Sequence, residues 1–199
     1  STAGLNLVGA AGTSGNVLRL TPQLNSMSGA AWASTQQEVA GSFRCEFEFQ
    51  LGGGADGFAF LVQNQAGNVV TGNGCELGYH GMTNALAIEF DTWENTACGF
   101  GTVNDPNAHH ISVHSEGFGV ISASEIGALA STPFLGNFSD GQVYFVRIDY
   151  VPGTLHIYLN DLTAPVLTAS VDLQSLLNLN AGHAWVGFTA ATGGFAQPH

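Results

Sequence analysis

Phe43-Arg44-Cys45-Glu46-Phe47-Glu48-Phe49-Gln50 places an apolar residue at every odd position and a polar or charged one at every even position. That period of two is the pattern of a β-strand with one buried and one wet face. The same alternation returns later. Val146, Ile148 and Tyr150 alternate with Arg147 and Asp149, the stretch Val151-Pro152-Gly153-Thr154 supplies a turn, and Leu155, Ile157 and Leu159 alternate with His156, Tyr158 and Asn160. Two such runs around a short Pro-Gly turn read as a hairpin. Further strands are expected over residues 16–20, 30–35, 58–63, 86–92, 110–114, 165–171 and 184–189, and a short helical turn over 171–177. Many short strands separated by Gly, Asn and Pro clusters, with no long helix, predict an all-β fold: an antiparallel β-sandwich or jelly roll. No repeat, low-complexity tract or linker divides the chain, so residues 1–199 read as a single domain.

Composition narrows the function. Of 199 residues, 3 are Lys or Arg and 15 are Asp or Glu, giving 9% charged residues and a net charge of −12, against about 25% charged in a usual soluble domain. The cations are Arg19, Arg44 and Arg147, with no Lys; nothing here could neutralise a row of phosphates, which excludes nucleic acid as a partner. No stretch approaches the roughly 20 apolar residues of a membrane-spanning helix, so membrane insertion is not expected. Forty-five per cent hydrophobic residues, with 13 Phe, support one well-filled core. The acidic, Lys-free, Gly-rich composition fits a secreted, extracellular or cell-surface protein. Of three cysteines, Cys45 sits among the alternating Phe residues as a small core residue, whereas Cys75 and Cys98 lie in Gly-rich loops.

The richest chemistry stands in Ala85-Leu86-Ala87-Ile88-Glu89-Phe90-Asp91-Thr92-Trp93-Glu94-Asn95, followed by Asn104-Asp105-Pro106 and His109-His110. Alternation puts Leu86, Ile88 and Phe90 on one face and Glu89 with Asp91 on the other, roughly 6.5 Å apart. Taken alone, the two carboxylates could decorate a solvated sheet face. If Asp105 folds back onto them, three anions converge and demand a cation. Asp, Asn and backbone carbonyls are donors for Ca²⁺, while a site that includes His110 suits a transition metal such as Mn²⁺ or Zn²⁺.

The spacing of these residues resembles the metal-binding stretch of the L-type, or legume-type, lectins: Glu-x-Asp-Thr-aromatic-x-Asn, then Asp-Pro, then a His five positions after that Asp. It stands here as Glu89 to Asn95, Asp105-Pro106 and His110. Ala55-Asp56-Gly57-Phe58-Ala59-Phe60 is similar to the family motif whose Asp, after a cis peptide, receives sugar hydroxyls. Gly72 to Tyr79 and Val186 to Gly193 are similar to its Gly-rich loop and its late strand and loop. The resemblance spans essentially the whole chain and implies a concanavalin-A-like sandwich. It further implies that Glu89, Asp91, Asp105 and His110 bind a transition metal, Mn²⁺ or a relative. Asp91, Asn95, Asp105 and the Trp93 carbonyl would bind Ca²⁺, with Asp91 and Asp105 bridging. The sugar would lie against Asp56, Asn95 and backbone amides near Gly74 and Gly194, with Trp93 or Phe195 as an apolar wall. The Asp91-to-Asp105 loop is longer than in plant members, and Glu94 adds an anion. The resemblance also places Cys75 and Cys98 in loops around the sugar site, where an oxidising compartment would let them bond.

The resulting expectation is a Ca²⁺-dependent, carbohydrate-binding, non-enzymatic domain of a secreted or surface protein, with glycans as partners. Two other readings compete. Glu89 and Glu94 also satisfy Glu-x-Asp-x-x-Glu, resembling the catalytic strand of sandwich-fold glycoside hydrolases, but without a bulge they point to opposite faces. A structural surface protein could keep the sandwich without a working sugar site. Family members usually extend beyond both ends of this sequence, which leads to the expectation of incomplete terminal strands, completed by flanking residues, a homo-oligomer or a strand-donating neighbour. His80, His109 and His114 read as loop or face residues, with His114 on the same strand face as His110.

Overall fold

The structure, a computed structural model, describes residues 2–134 and 136–194. Two antiparallel sheets pack face to face. In the larger, the strand order is Leu5–Gly9, Ser28–Ala33, His183–Ala191, Gly57–Gln63, Ala85–Asp91, His110–Ser115 and Ala130–Pro133, with Gln37–Glu38 pairing onto the start of His183–Ala191. The smaller runs Leu167–Ala169, Thr154–Leu159, Val143–Val151 and Phe43–Gln50. The expected hairpin is present, with Ile148 opposite Ile157, and the helical turn is Leu173–Leu176, where the Asp172 carboxylate accepts the Gln174 amide. Short strands at Gly12–Ser14, Ala97–Cys98, Gly101–Thr102 and Ala130–Pro133 went unread because two to four residues are too few to display a period.

Between the sheets lies an aromatic core. Phe47 and Phe49 of the small sheet meet Phe58, Phe60, Phe90 and Phe188 of the large one, with Phe58 and Phe90 stacked at 4.9 Å. An apolar groove of about 700 Å³ opens beside it, lined by Val17, Leu18, Phe47, Phe49 and Phe188. The outer face of the small sheet is wet. There Asp149 pairs with both Arg44 and Arg147, and Arg147 lies over the Tyr158 ring.

The opposite face of the large sheet is not solvated. Loops cover it and build a second apolar cluster from Trp32, Ala59, Leu61, Leu77, Tyr79, Met82, Ala87, Ile121 and Ala123. Every residue of Gly57–Gln63, Ala85–Asp91 and His110–Ser115 is consequently buried. The solvated-face reading of Glu89 and Asp91 is thereby corrected: they are 1% and 4% exposed.

Candidate functional site

Strand pairing assembles the cluster. Asp91 lies opposite both His110 and Gly57, and Glu89 lies opposite Ser112 and Ala59. Residues paired across antiparallel strands share a face, so Glu89, Asp91, His110 and His114 all project beneath the loops. Small residues on the neighbouring strand, Gly57 and Ala59, leave room there; a Cβ on Gly57 would come within 2.5 Å of the Phe90 carbonyl.

Beyond Asp91 the chain turns sharply. The Asp91 carboxylate accepts the Trp93 amide at 2.6 Å, the Asp105 carboxylate accepts the Asn95 amide, and the Asp105 amide donates back to the Asn95 carbonyl at 3.2 Å. Asp105 thus folds onto Asp91 as expected, and Asp91, Asp105 and His110 offer ligand atoms within 4.8 Å of one another. Asn104 takes a left-handed conformation, φ 68°, which Asn tolerates and which turns the loop back to Asp105. The Asn95 side-chain oxygen is buried and has no hydrogen-bond partner among the described residues. Glu89 is held by the Tyr79 hydroxyl, which donates to its Oε2 at 2.7 Å, and its Oε1 lies 3.2 Å from His110 Nε2.

Electrostatics follow from burial. Burial pushes the Asp91 carboxyl well above the usual carboxylate range, reinforced by Glu89 and Asp105 and opposed by His110. Burial likewise lifts Asp105 to about 7, eased by the Asn95 amide. For His110 burial works downward, but hydrogen bonds with Glu125 and Glu89 and the charges of Asp91 and Glu89 outweigh it and raise the ring to about 11. The positive groups this cluster meets among the described residues are therefore imidazoles. Converging carboxylates, an orphaned amide oxygen and an imidazole are a donor set that fits a hard cation beside a transition metal.

The residues expected on the sugar side are tied by hydrogen bonds to the end of the Asp91 strand. The Ala55–Asp56 peptide is cis. The Asp56 carbonyl accepts both the amide and the hydroxyl of Thr92 at 2.8 Å, and its amide donates to the Ala191 carbonyl at 3.2 Å; these bonds tie the motif to the end of Ala85–Asp91 and to the end of His183–Ala191. Its carboxylate is 4% exposed, and Oδ2 finds no hydrogen-bond partner among the described residues. Burial lifts this group to about 6, partly offset by the Gly193 amide. Gly74 closes on the same carboxylate, and a Cβ on Gly193 would sit 2.6 Å from Oδ2. Gly193, rather than Gly194 alone, is thus the glycine this contact requires. Gly74 donates its amide to the Thr192 carbonyl. Trp93 is exposed at 39%, as an apolar wall would need to be; Phe195 lies outside the described residues. Cys75 and Cys98 are disulfide-bonded, joining the turn at Gly74–Glu76 to the hairpin inside the Asn95-to-Asp105 loop.

The model of the legume lectin β-barrel domain, the L-type lectin domain, matches residues 2–199. The chain belongs to the L-type lectin family. A lectin-related protein of Cladrastis kentukea is 31% identical over 191 residues, covering 84% of this chain and 57% of that protein. Anti-H(O) lectin 1 of Cytisophyllum sessilifolium is 29% identical, covering 83% of this chain and 68% of its own length. The chain thus spans little more than half of the first relative. Among solved structures, the lectin from Bauhinia forficata in complex with GalNAc superposes with a TM-score of 0.79 at 23% identity, over 100% of this chain and 90% of that one. The exoplasmic/lumenal domain of VIP36 in its Ca²⁺/Man-bound form gives 0.72 at 18% identity, over 98% and 80%. These likenesses show the L-type lectin sandwich, and the related chains are lectins rather than enzymes. The two carboxylates of the competing glycosidase reading also differ in setting: Glu89 is sealed beneath the loops while Glu94 is exposed after the turn.

Two residues of this cluster were not among the expected site residues. His114 is not a surface-face residue but 2% exposed, its Nε2 3.1 Å from Glu89 Oε1. Glu125, from the loop over the sheet, reaches the same place, with Oε1 3.3 Å from both His110 and His114. The alternation of His110 and His114 on one strand was a usable signal for the first; nothing local marks Ser124-Glu125.

Proposed function

We propose that this domain binds glycans in a Ca²⁺-dependent manner, as part of a secreted or cell-surface protein. The observation that carries the reading is the pair of buried oxygens lacking partners on adjoining loops, Asp56 Oδ2 and Asn95 Oδ1. A buried acceptor without a donor is costly, and a sugar hydroxyl and a cation are the respective remedies. Ca²⁺ would take Asp91, Asn95, Asp105 and the Trp93 carbonyl; a transition-metal ion would lie behind it, toward Glu89 and His110. Bound Ca²⁺ supplies charge and rigidity. This chain's own residues do the recognition: Asp56 accepts sugar hydroxyls, the Asn95 amide donates one, the backbone at Gly74, Gly193 and Gly194 allows close approach, and Trp93 offers a face for the apolar side of the ring. Affinity then comes from loops held in place before the sugar arrives.

The Cys75–Cys98 bond supports an oxidising compartment. A glycan array followed by calorimetry, with and without Ca²⁺, tests the reading. Binding that appears only with Ca²⁺ is the expected result; a metal-stripped chain that binds equally well would refute the mechanism, and no binding under any condition would favour the scaffold reading.

A further inference from the structure

The loops on the sugar side carry negative charge and no counter-charge of their own. Asp56 is 4% exposed, and its Oδ2 has no hydrogen-bond partner among the described residues. The turn Gly74–Glu76 brings Gly74 against that carboxylate, and Glu76 lays its own carboxylate over Gly72. Glu94 stands exposed between Trp93 and Asn95. No Lys or Arg occurs between Arg44 and Arg147, the stretch that holds Asp56, Gly74 and the Asp91-to-Asp105 loop. The chain's cations are engaged elsewhere: Arg44 and Arg147 pair with Asp149 on the outer face of the small sheet, and Arg19 lines the inter-sheet groove. The His110 and His114 rings lie against Glu89 and Glu125 beneath the loops.

Bound Ca²⁺ does not reverse this balance, because its two charges are met by Asp91 and Asp105, which leaves Asp56 and Glu94 over. A sugar hydroxyl on Asp56 Oδ2 satisfies the lone pair but not the charge. An ammonium satisfies both, and in a site shielded from water that attraction is weakly screened. The titration of Asp56 reflects the same lack: burial lifts it to about 6, and only the Gly193 amide, no positive side chain, works against that rise. Trp93, 39% exposed beside Glu94, adds an aromatic face, which attracts cations as well as the apolar side of a ring. A carboxylate or sulfate on the sugar would meet like charge at each of these points.

We propose that this site selects sugars bearing a free, protonated amino group, the unacetylated hexosamines, and rejects sugars bearing carboxylate or sulfate. Asp56 takes the ammonium on Oδ2. Glu94 acts from the exposed rim as a specificity residue, by charge alone. The inference rests on the lectin reading and names the ligand class of the same site. The competing arrangement has Asp56 accepting a neutral hydroxyl, with Glu94 solvated and without effect on the choice of sugar.

The test titrates the full chain with Ca²⁺ at pH 7 against three sets of disaccharides in both the gluco and galacto series: hexosamines with a free amine, their N-acetylated forms, and uronate-containing forms. The expected result is at least tenfold tighter binding of the free-amine form than of the acetylated one, and no binding of the uronate. That advantage should shrink as salt is raised from about 0.05 to 0.5 M, since the Debye length falls with it. Glu94→Gln should lower the ratio of free-amine to acetylated affinity severalfold. Asp56→Asn should abolish binding of the free-amine form, whereas a general attraction of an acidic chain for cations would survive it. A ratio near one, uronate bound as well as neutral sugar, or free-amine binding retained in Asp56→Asn would overturn the proposal. The two readings fail differently. Acetylated and free-amine sugars bound alike in the presence of Ca²⁺ refute only this inference; free-amine sugar held through Asp56 by the metal-stripped chain refutes only the Ca²⁺ mechanism; a chain that binds none of the three sets refutes both.

Discussion

The two faces of the large sheet are made by the same strands and do opposite things. Along Ala85–Asp91, Leu86, Ile88 and Phe90 enter the aromatic core while Glu89 and Asp91, two residues apart from their like, enter the covered polar cluster. The inter-sheet face is sealed by another sheet, with apolar contact throughout its centre and the Tyr144 and Tyr150 hydroxyls hydrogen-bonded at its margin. The loop-covered face is sealed by irregular backbone, and it retains buried acceptors, Asp56 Oδ2 and Asn95 Oδ1, that find no hydrogen-bond partner among the described residues. Rigidity on one face therefore sustains unpaired polarity on the other, because the strand cannot move to relieve it.

Perturbing each face in turn should separate stability from binding. The largest loss belongs to the aromatic face: Phe90→Ala, which removes a ring stacked on Phe58, should cost about 3–5 kcal/mol in denaturant unfolding, and glycan binding should fail only as the fold does. Next comes the covalent link of the other face. Serine at both Cys75 and Cys98 should cost about 3 kcal/mol on the chain-entropy estimate, with weaker glycan affinity in the folded protein; an unaltered affinity would mean the bridge does not shape the site. Tyr79→Phe leaves the buried Glu89 Oε2 without its donor and should cost about 1–3 kcal/mol, measured as a drop in denaturation midpoint.

The smallest effect on stability, and the sharpest on function, is expected at Asp56. Asp56→Asn should leave stability at pH 7 unchanged or slightly raised and abolish glycan binding. The pH behaviour carries the same contrast. A carboxyl lifted from an ordinary 3.8 to about 6 by burial binds more protons folded than unfolded in that interval, so its contribution lowers stability as pH rises through it. Sugar acceptance needs the carboxylate, so affinity should rise over the same interval. Calorimetry between pH 4.5 and pH 7 on wild type and Asp56→Asn would show whether the two slopes oppose each other and vanish together.

The same contrast explains what the sequence disclosed. The aromatic face was readable because a sheet packed on a sheet imposes a period of two, and Phe43–Gln50 shows it without interruption. The loops over the other face have no period. Tyr79, Met82, Ile121 and Ala123 are buried from loops; strand alternation set Glu89 beside Asp91, but the roles of Asp56 and Asn95 came from spacing to a known family alone. His114 and Glu125 fall outside that pattern, and their convergence depends on where the Val103 carbonyl holds a distant loop, which no local residue choice encodes.

The strand order has one more consequence, for the way this chain acquires its structure. His183–Ala191 lies between Ser28–Ala33 and Gly57–Gln63, with Ala31 and Phe60 both opposite Phe188. Two early segments therefore cannot join until a segment about 120 to 160 positions later in the sequence slots between them. Such distant pairings place folding in the milliseconds-to-seconds range. During synthesis both early strands wait with apolar edges open to any neighbouring chain, and a chain halted before His183 keeps them open.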